Sequence, residues 1–398
     1  MAERNDVTME FRILTEPEEI IQFEQICSMV FFTPMEEKER YKPVKGQDVW
    51  GAVEDGKVIS VVIATSFTMT YHGKQVPMFG IGGVGTRMEY RRKGYIRTLF
   101  HAIFDVMREK GYAFSYLYPF SNRYYSQFGY SPGMMRTEAG IPISLLESYS
   151  CDCDVHMYEP GDSFDPYVRI YERFAKSYTG MVRRDDWARL DGYVPTKNRK
   201  YMYLFTRKGV PVAFLGFQAE GANAEKRIMK VLDIAWIDMP AFFSILGFAG
   251  GSGVYYKALQ ISLPSSLPIE LLTPEPHDLT IKQCQYGQSR IIDVRQALEG
   301  YPWPKYDGQI AIRVTDDYFE ANSGIWTITF GASGVDVTHG GGDWDLDVDI
   351  RVLNLLLFGT CGFADLPYLS GSGWAAKGDG SALAQIFVKR PLYIADYF

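Results

Sequence analysis

The stretch from Val84 to Tyr130, VGTRMEYRRKGYIRTLFHAIFDVMREKGYAFSYLYPFSNRYYSQFGY, constrains the fold of this chain more than any other segment. An apolar, Gly-rich run leads into the basic loop Arg91-Arg92-Lys93-Gly94-Tyr95-Ile96. A helix must follow, because Ile96, Leu99, Phe100, Ile103, Val106 and Met107 keep the 3.6-residue period. The first turn of a helix carries backbone N–H groups without intrahelical partners and the positive end of the macrodipole, so a pyrophosphate is well received there. Gly94 lets the backbone approach such a group closely, and the basic side chains add charge.

The bland reading of this loop is a solvated charge run capping a helix. The order of parts around it argues otherwise: strand, basic Gly loop, amphipathic helix, a second strand at 112–118, then Tyr-Tyr-Ser-Gln-Phe-Gly-Tyr at 124–130. Arg91 to Ile96 resembles the R-x-x-G-x-G/A acetyl-coenzyme A loop of the GCN5-related N-acetyltransferase (GNAT) superfamily, departing from it at Ile96. The whole order resembles the Eis (enhanced intracellular survival) branch, where a Tyr-x-x-Phe-Gly-Tyr segment follows at this distance. A second pattern, Gly80-Ile81-Gly82-Gly83-Val84-Gly85, satisfies G-x-G-x-x-G literally. A dinucleotide fingerprint needs its last glycine to open a helix, yet residues 86–90 intervene, so this reads as a strand with a bulge or splay.

With 398 residues the chain is too long for one ordinary core. Its 46% hydrophobic content is that of a globular protein, and no apolar run approaches the roughly 20 residues that span a bilayer. The start, MAERNDVTMEF, is charged where a leader would be apolar, so a cytoplasmic protein without a membrane partner is expected. Five scattered cysteines, Cys27, Cys151, Cys153, Cys284 and Cys361, are expected as free thiols. Cys151-Asp152-Cys153 has only His156 nearby and lacks a second ligand pair, so no metal is expected. A net charge of −7 argues against nucleic acid as a partner and tilts toward a cationic substrate.

Along the chain the pattern predicts a helix at 15–32, strands at 50–54, 58–71 and 76–86, then the loop, helix and strand above. From about Asp154 it restarts: a helix at 166–177, a polar helix around 183–189, strands at 200–207, 210–218 and 228–236, and a helix near 240–249. Beyond Tyr286 come a helical 291–299, strands at 308–315, 324–331, 334–338 and 346–350, an apolar helix at 350–358 and another near 380–387. In Asp343 to Ile350 acids alternate with apolar residues in a single copy, which reads as a strand with its Asp face in water rather than a calcium repeat. The fold class expected is α/β (α+β). The resemblance implies a GNAT domain at 1–150, a second, degenerate GNAT-like domain at 151–288 and a sterol-carrier-like α+β domain at 289–398. No low-complexity linker separates them.

The resemblance also implies a chemistry: direct acetyl transfer from acetyl-CoA, as co-substrate, to a primary amine. The cofactor site carries over to Val84, Gly85, Thr86, Arg91, Arg92, Lys93, Gly94, Tyr95, Ile96, Arg97, Phe120 and Ser121. Tyr125 takes the family's general-acid position, and a phenol with a reference pKa of roughly 10 is protonated and able to donate at neutral pH. The alternative is a core aromatic, since the chain has 27 tyrosines. Eis-type enzymes use their own terminal carboxylate as base, and this chain ends Ala395-Asp396-Tyr397-Phe398 with the same aromatic last residue. A free α-carboxylate, with a reference pKa of roughly 3.5, needs a desolvating pocket or a water relay to serve. A frayed terminus is the ordinary alternative, but the end is apolar for one.

Tyr397 stands where the family pattern tends to carry an acid, leaving either Asp396 as substitute or a less cationic amine. Phe31, Phe32 and Trp187 are candidate pocket walls for which core packing is the first reading. Aminoglycosides, polyamines and lysine side chains are the implied amine classes, and a homo-oligomer, up to a hexamer, is the implied assembly. The competing function is a non-enzymatic lipid or acyl-chain binding protein that uses the sterol-carrier-like region.

Overall fold

The structure, a computed structural model, describes residues 9–32, 41, 44–222, 227–369 and 373–398; residues 1–8, most of the charged start, lie outside them. The first sheet begins with β1 (Met9–Ile13), continues after α1 (Pro17–Phe31) through β2 (Gln47–Glu54), β3 (Lys57–Tyr71) and β4 (Lys74–Thr86), and crosses through α2 (Tyr95–Glu109) to β5 (Phe114–Leu117). Its hairpins close on Asp55-Gly56 and His72-Gly73, pairs in which both residues have positive φ, the geometry that matches strand twist. α2 lies on the sheet through Ile96, Leu99, Phe100, Ile103, Phe104 and Met107; Val106, placed on that face by the periodicity, is only half-buried. After α3 (Asn122–Ser126) the short strand β6 (Ser131–Pro132) ends this run.

β7 (Met135–Pro142) opens the second sheet, followed by β8 (Asp154–Met157), α4 (Asp165–Ala175), α5 (Pro195–Asn198), β9 (Lys200–Arg207), β10 (Val210–Glu220), β11 (Ile228–Trp236), α6 (Met239–Gly250), β12 (Ala258–Pro264) and β13 (Thr280–Gln285). β11 and β12 run parallel, as β4 and β5 do in the first sheet. The polar helix expected around 183–189 is absent: the chain is irregular to Trp187 and then forms a 3-10 turn at Ala188–Gly192. Arg184 is drawn inward to Asp233 and Asp396, and Asp186 accepts from the Ala188 N–H at 2.9 Å, offering the backbone an alternative to helix.

β14 (Gln288–Ile291) then returns to the first sheet, giving the order β1-β2-β3-β4-β5-β14-β6. The sheets therefore do not follow the expected spans strand for strand: β7 precedes residue 150 yet belongs to the second sheet. The third region has α7 (Val294–Gly300), β15 (Gly308–Thr315), β16 (Gly324–Gly331), β17 (Gly334–His339), β18 (Leu346–Asp349), α8 (Ile350–Phe358), β19 (Trp374–Ala376) and α9 (Ser381–Ile386). In the acidic alternation Asp343 is exposed, Asp347 pairs with Arg313, and Asp349 caps α8 by accepting from the Arg351 and Val352 N–H groups at 2.8 and 3.0 Å. The fold is thus mixed α/β, and α8 and the first sheet share one core through Tyr71, Phe114, Leu356 and Phe358.

All five cysteines are free thiols. Among the described residues no helix is long and apolar enough to cross a membrane, and no group of three or more His, Cys, Asp or Glu could hold a metal.

Candidate active site

β4 pairs with β5 from Met78↔Phe114 to Ile81↔Leu117, and β4 then runs on to Thr86 without β5, paired with β3 alone. Its register against β3 slips between Val61 and Ile63, opposite Gly85 and Gly82, so Gly83 and Val84 form a bulge. Gly83 adopts φ +55° there, and a Cβ would crowd Ile63. The parting of the two strands opens a cleft of about 680 Å³ lined by Val84, Gly85, Thr86 and the whole run Tyr90–Arg97, with Phe31, Phe120, Tyr124 and Gln127 opposite.

At the cleft's end Gly94 caps α2 at φ +87°, with no side chain closing the helix's first turn. The N–H groups of that turn, three cationic side chains and a left-handed Arg92 (φ +65°) make a cradle suited to phosphate oxygens. Arg97 packs over the rings of Phe128 and Tyr318, 5.7 and 5.1 Å from their centroids, which fixes its stem beside the cleft. Of the expected cofactor residues Ser121 alone does not line the cleft; it caps α3, its hydroxyl accepting from the Tyr124 N–H at 3.3 Å.

Tyr125 is buried on α3 against Phe100, Phe120, Tyr124 and Tyr130, and burial pushes its phenol well above the usual range. Its hydroxyl has no hydrogen-bond partner among the described residues. The turn that follows is held from β14: the buried Arg290 donates to the Phe128 carbonyl and pairs with Asp316 of the third region at 2.6 Å. A Cβ at Gly129 would collide with that guanidinium.

The chain end is ordered by packing. Leu392, Tyr393 and Ile394 are buried. The Phe398 ring lies 4.3 Å from Phe67 and 5.3 Å from Tyr118, and the Tyr397 ring lies 4.3 Å from Tyr118. Beside it is a second pocket of about 400 Å³ lined by Tyr118, Pro119, Phe120, Asn122, Gln285, Tyr286 and Gly287. Phe120 borders both spaces.

Two family profiles match the sequence: an acetyltransferase (GNAT) domain over residues 10–133 and a sterol carrier protein domain over residues 294–394. This chain carries a GNAT acetyltransferase domain and a sterol carrier protein domain. No curated protein matches it in sequence. Among solved structures it is similar to a GCN5-related N-acetyltransferase from Anabaena variabilis at 23% identity and TM-score 0.85, covering 98% of this chain and 100% of that one. A probable N-acyltransferase from Enterococcus faecalis is similar at 22% identity and TM-score 0.85, with the same coverage. Eis1 from Mycobacterium abscessus is similar at 18% identity and TM-score 0.81, again over 98% and 100%. At these identities the likeness concerns the fold, which is Eis-like over the whole chain.

The GNAT domain gathers most of the expected residues into one cleft, but three features escaped the sequence. Tyr124, Gln127 and Phe128 line the cleft because the short α3 turns its near side toward α2. Of the candidate walls, Phe31 and Phe32 are exposed rather than packed in the core, and Phe31 lines the cleft of the GNAT domain; Trp187 is buried, as core packing expects. Asp396 does not point at a substrate space: it is bound by Arg184, Arg189 and Tyr171.

Proposed function

We propose that this acetyltransferase uses acetyl-CoA to acetylate a primary amine directly, with Tyr125 as general acid and the Phe398 carboxylate as general base. The observation that supports this reading is the shared wall at Phe120: a cleft with a phosphate cradle on one side, and on the other a pocket whose Tyr118 packs against the last residue of the chain. The pyrophosphate binds the first turn of α2 and the cations of the 91–97 loop. The pantetheine arm follows the end of β4 that has parted from β5, past Val84 to Thr86, where an N–H faces the thioester oxygen and stabilises the charge that develops on it.

The amine enters beside Tyr118 and Phe120, whose ring faces attract a cation. Its nitrogen loses a proton to the Phe398 carboxylate and attacks the thioester carbon. The C–S bond then breaks, the departing thiolate takes the Tyr125 proton, and the second proton shed by the acylated nitrogen returns the Tyr125 phenolate to the phenol. The rings of Phe67, Tyr116 and Tyr118 seat the Phe398 side chain, and a carboxylate shielded from water on acetyl-CoA and amine binding becomes a stronger base. Aminoglycosides, polyamines and lysine side chains remain the classes to assay. The three regions, 1–150, 151–288 and 289–398, are proposed as domains that share strands, assembled into a homo-oligomer of up to six chains, which sedimentation would measure.

Thiol release from acetyl-CoA across a panel of such amines tests the activity. Amine-dependent release is expected. Co-purifying lipid together with no acetyl-CoA binding would favour the lipid-carrier reading instead.

A further inference from the structure

Asp396, two residues before the chain end, is gripped by the second sheet. Its Oδ1 accepts from Arg184 Nε at 2.8 Å and Arg189 Nη1 at 3.3 Å, and its Oδ2 from the Tyr171 hydroxyl at 2.8 Å. Arg184 turns its remaining fork to Asp233, with bonds of 3.0 and 3.1 Å, and Arg189 reaches the same carboxylate at 2.7 Å. Two cations thus balance two carboxylates, with Arg184 and Asp233 almost fully buried. Arg184 also lies over the Tyr171 ring, 3.9 Å from its centroid. Fork-shaped pairing of this kind fixes direction as well as distance.

The place of this grip in the fold matters as much as its strength. β11 and β12 pair only from Ile228↔Ala258 to Lys230↔Gln260. Asp233 lies on β11 past that point, and the Tyr393 hydroxyl donates to the carbonyl of Ser262, on β12 past that point, at 2.9 Å. The chain end therefore sits where the two parallel strands have parted. In the first sheet the same parting, of β4 from β5, opens into the cleft described above.

We infer that the second sheet uses its strand parting to hold the chain's own end, and that Arg184 and Asp396 are positioning residues that aim the Phe398 carboxylate. The inference rests on the proposed role of that carboxylate. Mechanically, Tyr118 completes the hold: its hydroxyl donates to the Asp396 carbonyl while its ring contacts Tyr397 and Phe398. Between the Asp396 anchor and the seated Phe398 ring only Tyr397 intervenes, so few torsions remain through which the carboxylate can wander. Ordering the chain end before the amine arrives removes an entropic cost from the reacting geometry.

The test uses full-length protein labelled with [1-13C]phenylalanine. Of 25 phenylalanines Phe398 alone ends in a carboxylate, whose resonance titrates with pH and is recognisable on that ground. Two variants are compared with the parent: Asp396→Asn, which keeps the shape, and Arg184→Lys, which keeps the charge but loses the fork. In both, the terminal resonance is expected to move toward its position in the urea-unfolded chain, kcat to fall at least tenfold, and KM for acetyl-CoA to stay within twofold. A terminal resonance unchanged in both variants would overturn the inference, whatever the activity does. If the resonance moves but a chain extended past Phe398 is fully active, the hold on the chain end stands and the base assignment fails.

Discussion

Gly80 and Phe398 occupy one space: the terminal ring lies where a side chain on Gly80 would be, and a Cβ there would collide with that ring and with Phe67. The Gly-rich run of β4 thus serves the chain end as well as the bulge. In Gly80→Ala the Phe398 ring must leave its seat, at a cost of about 1–3 kcal/mol for overpacking. Turnover is expected to fall at least tenfold while acetyl-CoA affinity, measured by calorimetry, stays within twofold.

Tyr125→Phe isolates a proton. Because the hydroxyl has no partner among the described residues, its removal leaves no buried group unpaired, and the melting temperature is expected to hold within a degree or two. A general acid contributes about 10²–10⁴-fold, so kcat should drop by that order at unchanged acetyl-CoA affinity. Full turnover in the variant would remove Tyr125 from the mechanism.

The cradle at the start of α2 should act on binding alone. Replacing Arg92 by Gly suits its left-handed backbone (φ +65°) and removes the cationic side chain without backbone strain. KM for acetyl-CoA is expected to rise about tenfold, equivalent to about 1.4 kcal/mol, with kcat retained. Dephospho and full-length coenzyme A titrations would separate this from general loss of charge.

Stability should depend on pH through His72, whose ring meets the Leu357 carbonyl at 2.7 Å in the shared core. Burial, the main cause, lowers its pKa to about 4. In the unfolded chain the value is about 6.5, so between these limits the unfolded state binds more protons. Stability is full above about pH 6.5 and falls toward pH 4, by at most about 1.4 kcal/mol per unit from this group. Urea midpoints measured from pH 7 to 4 should show a shallower decline in His72→Gln.

How much of this was legible in the sequence depended on how local the cause was. The strands at 200–207, 228–236, 308–315 and 324–331 and the helix at 350–358 emerge with the expected bounds, because alternation and the 3.6 period report one element's own burial. The polar helix at 183–189 failed because Arg184 is drawn inward by Asp233 and Asp396, partners 49 and 212 positions away. No window of neighbouring residues contains that information. β14 crossing to the first sheet and Phe31 facing a cleft are long-range facts of the same kind. In the site, the 84–97 residues were readable as one contiguous motif, whereas Tyr124 and Gln127 reach the cleft only through the packing of α3 on α2.

The central claim, that the chain's own end is the base, is tested most directly by adding one glycine after Phe398 and measuring amine-dependent thiol release from acetyl-CoA beside the native protein. The added residue converts the Phe398 carboxylate to an amide and carries the new carboxylate away. Turnover is expected to fall about a hundredfold or more with acetyl-CoA affinity intact. An extended protein that turns over at the native rate would contradict it.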